Sequence, residues 1–222
     1  MDPRNNGPDK LSVYDVLANV VKAVGNGRRL ELIEVLAQGE HSVETLARMT
    51  GMELTTVSGS LQTLKKAGLV KARRERTMIF YRLSGPDVAE LYLAAKRVGL
   101  LRSPELREAL DAYMSQAEGQ TAVPLIDPSA VTSGMTVLDV RPKVEFDAGH
   151  FPSAVSIPLD ELPERHGELP GGAEIVVYCR GEFCRLAREA VAWLRERGVD
   201  AKAMDEGVVE WRATKEIRLD IA

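Results

Sequence analysis

One stretch of the chain limits its possible folds more than any other, because a short strand, a cysteine-bearing loop and a helix follow each other directly. Residues 174–178 (Glu-Ile-Val-Val-Tyr) are typical of a buried strand, and residues 186–194 have helical periodicity. Cys179 therefore lies where the strand ends and a tight loop opens the helix. Loop amides and the positive end of the helix dipole favour a thiolate over a thiol at such a place.

Two arginines strengthen this interpretation of Cys179. Arg180 follows it directly, and Arg185 stands at the start of the predicted helix, so both add positive charge near the sulfur. The alternative is a small buried hydrophobic side chain, which is the commonest role of a free cysteine. The placement beside two arginines favours a reactive thiol.

Charge divides the chain into two halves. Its 222 residues have a net charge of −4, but residues 1–102 carry 16 Lys and Arg against 11 Asp and Glu, a net charge of +5. Residues 103–222 carry 13 against 22, a net charge of −9. A basic front half and an acidic back half indicate two domains, with nucleic acid as the partner of the first.

The boundary between the halves is marked by helix-breaking residues. Ser103 and Pro104 stop a helical pattern, residues 104–118 are compatible with a connecting helix, and residues 119–124 have the composition of a hinge. We therefore predict a DNA-binding and dimerisation domain at 1–102, a linker at 103–121 and a second domain at 122–222. Two cysteines, no long apolar run and no signal-peptide pattern predict a cytoplasmic protein with reduced thiols and no membrane partner.

The front half shows helical periodicity in one segment after another. The apolar stripe at 11–24 is wider than one packing face needs. Asn26 and Ser42 stand at expected N-caps, and Gly51 lies in the turn between two short helices, which is the helix-turn-helix pattern. The predicted helices are 11–24, 28–38, 43–50, 54–67 and 87–101.

The helix at 54–67 has one apolar face and one face of small polar residues. Small polar side chains let a helix enter the major groove and bond to phosphates or base edges, although an ordinary solvated face is the alternative. The candidate DNA-binding residues of this face are Thr56, Ser58, Gly59, Ser60, Gln62 and Thr63.

A basic hairpin after this helix decides between the two interpretations. Residues 69–83 have the pattern of two strands around a charged tip, and the segment from Leu54 to Arg82 holds seven Lys or Arg and one acid. A basic hairpin behind a polar helix face predicts a winged helix-turn-helix, with the wing on phosphates or in the minor groove of double-stranded DNA. The candidate wing residues are Arg73, Arg74 and Arg76.

The front half resembles the ArsR family of repressors from about residue 14 to residue 100. The resemblance rests on residues 26–33 (Asn-Gly-Arg-Arg-Leu-Glu-Leu-Ile), 56–58, 67–70 and 80–83. It implies a homodimeric repressor whose first and last helices pair between subunits and which binds an operator.

Metal-binding residues common in that family are missing here. Residues 42–50 contain no cysteine and residues 87–101 contain no histidine. His41 stands alone before a capping serine, so we expect it to be a solvated loop residue. The sequence therefore predicts no metal site.

The back half, from about residue 122, resembles the rhodanese family of sulfurtransferases. The elements occur in the family's order and spacing: Leu-Asp-Val-Arg at 138–141, Glu-Phe at 145–146, Gly-His-Phe-Pro at 149–152, the Cys179 loop and Glu-Gly-Val-Val-Glu-Trp-Arg at 206–212. The resemblance implies an α/β domain with a mainly parallel sheet and no cofactor. It also implies that Cys179 carries sulfane sulfur as a persulfide, taken from a small donor and passed to a thiol acceptor.

The chemistry of sulfur transfer suggests roles for the residues around Cys179, and the rhodanese pattern suggests which residues support the loop. The loop amides would hold the persulfide, and Arg180 and Arg185 would assist an anionic donor or leaving group. A group of three residues would order the loop: Asp139, Arg141 and Glu145. Cys184 is either a resolving thiol, which would turn a persulfide on Cys179 into a disulfide, or a side chain of the helix core.

Three functions are compatible with this organisation. The first is a repressor whose rhodanese domain couples reactive sulfur to gene regulation. The second is a phosphate- or arsenate-handling enzyme, because Cys179 and Arg185 also satisfy the Cys-x5-Arg pattern of oxyanion-binding loops. The third is a catalytically idle rhodanese-like domain that binds a partner. The rhodanese motifs favour the first.

Overall fold

The computed structural model describes residues 9–117, 122–215 and 217–222. The front half is mainly helical, with a small antiparallel sheet in the order β1-β3-β2. Its elements are α1 (Lys10–Val24), α2 (Gly27–Leu36), β1 (His41–Ser42), α3 (Val43–Thr50), α4 (Leu54–Lys66), β2 (Val70–Glu75), β3 (Met78–Leu83), α5 (Pro86–Arg102) and α6 (Pro104–Ser115).

The predicted caps and turns organise the helix-turn-helix. The Asn26 side chain accepts a hydrogen bond from the backbone N–H of Arg29, and Ser42 caps α3 in the same way through Thr45. Gly51 has a φ of 66°, a left-handed conformation that glycine adopts without strain, so the chain turns sharply into α4. The hairpin of β2 and β3 forms the predicted wing. The winged helix-turn-helix prediction is confirmed.

One expectation for the front half is wrong. His41 is not a solvated loop residue, because it pairs with Tyr81 in the small sheet and is buried. Burial lowers the pKa of His41 and favours the neutral imidazole. The two-residue strand β1 is too short to be recognised from sequence periodicity.

The first helix leaves much of its apolar surface uncovered. Part of α5 is also apolar and exposed, at Val98 and Leu101. Large exposed apolar surfaces of this kind are typical of protein interfaces. The exposed apolar residues of α1 are Leu11, Val13, Tyr14, Val16, Leu17 and Val21.

The back half is an α/β unit around a five-stranded, all-parallel sheet in the order β4-β8-β7-β5-β6. The predicted fold class of this half is confirmed. Its elements are β4 (Leu125–Ile126), β5 (Thr136–Asp139), α7 (Lys143–Asp147), β6 (Val155–Ser156), α8 (Leu162–Arg165), β7 (Ile175–Tyr178), α9 (Leu186–Arg195), β8 (Ala201–Met204) and α10 (Val208–Thr214).

The centre of this sheet positions the candidate site. Strand β7 is buried on both faces, under α9 on one side and against Trp211 on the other. The chain leaves β5 toward one edge of the sheet and β7 toward the opposite edge. Ligands of parallel sheets bind outside the carboxyl ends of the strands where the strand order reverses in this way. Cys179 follows β7 at that place.

The two halves pack against each other. Helix α10 contacts α5, and Val209 of α10 enters the hydrophobic core of the front half.

Helix α6 occupies most of the predicted linker, while residues 118–121, which include part of the predicted hinge, lie outside the described residues. Among the described helices, none has the length and apolar character needed to cross a membrane.

Candidate functional site

Cys179 lies at the base of the loop between β7 and α9 and is only 4% exposed. Its thiol donates a hydrogen bond to the backbone carbonyl of Cys184 at 3.1 Å. Burial raises the pKa of Cys179 well above its usual value, although hydrogen bonds from the amides of Ala187 and Gly181 act in the opposite direction. The expectation that the loop lowers the pKa of Cys179 is therefore not met, because desolvation outweighs the amides.

Cys184 is less buried as a residue than Cys179. The pKa of its thiol is lowered by the neighbouring Cys179 thiol and by the charge of Arg180, which together outweigh the effect of burial. The two thiols are free in this structure.

Both predicted arginines are held by carboxylates. Arg180 forms a two-pronged ion pair with the buried Glu145, with a closest N–O distance of 2.7 Å. Arg185 pairs with Glu189 at 2.7 Å and also donates to the side chain of Gln116 at 3.3 Å. Arg180 therefore fixes the first turn of the loop, and Arg185 lies along the start of α9.

A buried ion pair stands behind the loop. Arg141 and Asp139 are both fully buried, with a closest distance of 2.6 Å, and the Tyr178 hydroxyl donates to Asp139 at 2.5 Å. Arg141 also donates to the carbonyl of Gly149 at 2.8 Å. These contacts tie the segments after β5 to the end of β7.

Gln38, which lies just after α2 in the front half, is part of the same network. Its side chain is fully buried; its carbonyl oxygen accepts from Arg141 at 3.0 Å, and its amide donates to the backbone carbonyl of Arg180 at 3.4 Å. Sequence reasoning missed Gln38. The available signal was a polar residue at the end of an apolar helix, which by itself is equally typical of a solvated helix end.

Lys96 of α5 is a second missed residue. Its ammonium group is buried between the carboxylates of Glu182, at 3.2 Å, and Glu210. It also lies 5.2 Å from the centre of the Phe183 ring. Burial works to lower the pKa of Lys96, but the two carboxylates together raise it above its usual value. A helix of the winged half thereby holds the tip of the Cys179 loop.

A cavity of about 780 Å³ separates the two halves beside this loop. Cys184 and Arg180 border it from the back half, and Glu34 borders it from α2. Burial raises the pKa of Glu34 to about 7, and the Tyr92 hydroxyl donates to its carboxylate at 3.1 Å. Much of the remaining wall is apolar: Leu30, Val35, Ala95, Leu106, Leu110 and Leu186.

The predicted DNA-contacting face of α4 is open to solvent to varying degrees. Gln62 is exposed, and its amide donates to the hydroxyl of Tyr81 in the wing at 3.1 Å. The residues Ser58, Gly59 and Thr63 are exposed, and Thr56 and Ser60 are half-buried.

The wing arginines are exposed at the hairpin. Arg73 pairs with Glu40 at 2.6 Å and with Glu75 at 2.5 Å. Arg74 donates to the backbone carbonyl of Arg76 at 3.1 Å, within the tight turn of the hairpin. Phosphate binding by Arg73 would therefore require it to exchange its carboxylate partners. In the part of the chain that is described, no group of three His, Cys, Asp or Glu side chains is placed to hold a metal ion.

Family comparisons agree with this division of the chain. Residues 26–72 match the family described as bacterial regulatory protein, arsR family. Residues 125–214 match the rhodanese-like domain family.

Similar proteins are found for most of the chain and for its front half alone. The HTH-type transcriptional regulator Rv0324 of Mycobacterium tuberculosis is 43% identical over 204 residues, which cover 91% of this chain and 90% of that protein. A biofilm growth-associated repressor of Xylella fastidiosa is 37% identical over 75 residues, 34% of this chain and 66% of that protein.

A solved structure resembles the front half. It is the homodimeric winged helix-turn-helix DNA-binding domain (fragment 1-100) Mb0332 from Mycobacterium bovis, with 45% identity, a TM-score of 0.41, and coverage of 47% of this chain and 95% of that one. The relative from Mycobacterium tuberculosis and the two family matches lead to one conclusion. The chain belongs to the ArsR family of HTH-type transcriptional regulators and carries a rhodanese-like domain after its winged helix-turn-helix.

Proposed function

We propose that this DNA-binding regulator is a cytoplasmic repressor that forms a persulfide on Cys179 and thereby changes its affinity for an operator. The observation that carries the proposal is the attachment of the Cys179 loop to the DNA-binding half through Gln38 and Lys96. Cys179 is buried, so we expect a sulfur added to it to move the loop and disturb those contacts. Arg185 is held by Glu189, which favours this function over oxyanion binding by a Cys-x5-Arg loop.

The proposed active form is a homodimer. The exposed apolar surfaces of α1 and of the end of α5 support it, since a monomer would leave them in water. Pairing of these helices between two copies would place two α4 helices and two wings on one side of the dimer, as binding to a two-fold symmetric operator requires.

The wing is proposed to contact phosphates, which predicts a weaker salt dependence when its charges are removed. We expect Arg73→Ala and Arg76→Ala each to weaken binding to operator and to random DNA alike. The slope of log K against log salt should flatten by about 0.9 for each lost phosphate contact. Fluorescence anisotropy of labelled DNA, titrated with protein at several salt concentrations, measures this slope. Arg197→Ala, an exposed arginine of the back half, is the matched control, and equal slopes in all four proteins would place the wing away from DNA.

Coupling between the halves predicts that sulfur changes DNA affinity. We expect persulfidated protein to bind its operator about tenfold more weakly than reduced protein, which corresponds to about 1.4 kcal/mol of coupling. Operator is first identified by selection from random DNA, and labelled operator is then titrated with reduced and polysulfide-treated protein. Cys179→Ser should give the same curve before and after treatment. Superimposable curves for the parent would contradict the proposed coupling.

A further inference from the structure

The two thiols of the loop differ in what they can reach. Cys179 is 4% exposed, whereas Cys184 is partly exposed and lines the cavity between the halves. Cys184 also borders a second cavity, of about 420 Å³, next to α6. A molecule that enters either space therefore meets Cys184.

The interdomain cavity is suited to an organic molecule. Its volume of about 780 Å³ lies in the range of sites that enclose drug-sized ligands, and much of its wall is aliphatic. The three cations on its wall are already paired: Arg180 with Glu145, Arg185 with Glu189, and Lys96 with Glu182 and Glu210. To bind a cation on this described wall, a small inorganic dianion would have to displace the carboxylate that already pairs with it. An apolar ligand could pack on the aliphatic side chains without breaking any of these ion pairs.

We propose that the interdomain cavity binds an organic persulfide with an apolar body, and that Cys184 takes the sulfur from it before Cys179 does. This inference rests on the proposed function of Cys179 and adds the class of donor and the first acceptor. The position of Cys184 at the wall of both cavities supports it. The lowered pKa of Cys184, caused by the neighbouring Cys179 thiol and the charge of Arg180, adds to this support because the thiolate is the attacking form.

The transfer proceeds in two balanced steps. The Cys184 thiolate attacks the outer sulfur of R–S–SH; a new S–S bond forms, the S–S bond of the donor breaks, and RS⁻ leaves with the electron pair. The sulfur of Cys179 then attacks the outer sulfur of Cys184–S–SH. Cys179 gives its proton to the departing sulfur of Cys184, so the products are a Cys179 persulfide and a Cys184 thiol, and no external oxidant is needed.

Variants of the two cysteines test the order of transfer. Each protein is mixed with benzyl persulfide generated in situ, and the added sulfur is located by mass spectrometry over time. We expect Cys179→Ser to gain sulfur on Cys184 at the parent's rate, and Cys184→Ser to gain it on Cys179 at least about tenfold more slowly. Cys184→Ser reacting at the parent's rate would overturn the inference and leave the proposed function intact. No added sulfur in the parent would overturn both.

A pair of variants on α6 tests the cavity itself. Ala109 lines the cavity, and Ala112 is an exposed residue of the same helix that is not among its lining residues. We expect Ala109→Trp to slow sulfur uptake from benzyl persulfide by about tenfold but not uptake from inorganic hydrogen disulfide, because only the larger donor needs the filled space. Ala112→Trp should react like the parent with both donors. Equal rates of sulfur uptake from benzyl persulfide in the two variants would show that this donor does not bind in the cavity.

Discussion

Replacement of Cys179 by serine is expected to abolish sulfur transfer from thiosulfate to cyanide, with a loss of at least about 10³-fold in kcat/KM. A serine hydroxyl is almost wholly protonated at neutral pH and cannot carry sulfane sulfur as a persulfide does. The thiol of Cys179 follows the end of β7, where the strand order of the sheet reverses. Thiocyanate formation with excess thiosulfate and cyanide measures the effect.

The same variant carries its own control. Serine is nearly isosteric with cysteine, so Cys179→Ser should keep the circular dichroism spectrum, the dimer and the basal operator affinity of the parent. Thiocyanate formation at the parent's rate would exclude Cys179 as the sulfur carrier. A rate lost together with operator binding would instead indicate a folding defect.

Replacement of Arg141 by methionine is expected to lower the free energy of unfolding by about 3–5 kcal/mol. The methionine has a similar length but leaves the Asp139 carboxylate buried without its cation, and it also removes a hydrogen-bond donor from Gln38 and from the Gly149 carbonyl. Removing one partner of a buried pair costs much more than the pair itself contributes, because the remaining charge stays desolvated.

Urea denaturation followed by circular dichroism measures this loss. Arg165→Met is the matched control, because Arg165 also pairs with carboxylates, Glu161 and Glu168, but on the surface, where water and salt screen the interaction. We expect little change in the midpoint of Arg165→Met. Similar midpoints for the two variants would show that the Asp139–Arg141 pair does not behave as a buried charge pair.

The local elements of both halves were predictable because their signals lie within short segments. Capping by Asn26 and Ser42, the turn at Gly51 and the basic hairpin predict the winged helix-turn-helix. The buried strand before Cys179 and the helix after it likewise follow from hydrophobic periodicity. Strand His41–Ser42 escaped prediction because two residues carry no period.

Only the tertiary structure decided how the two halves meet and which cysteine borders the cavity between them. The contacts of Gln38 with Arg141 and of Lys96 with Glu210 join residues 103 and 114 positions apart, and no local pattern signals such pairs. The sequence by itself determined that two cysteines share one loop after a buried strand. Only the packing of the whole chain decided that Cys179 is desolvated, which raises its pKa, and that Cys184 borders the cavity. The reason is that desolvation depends on every segment that surrounds a group and not only on its neighbours in the chain.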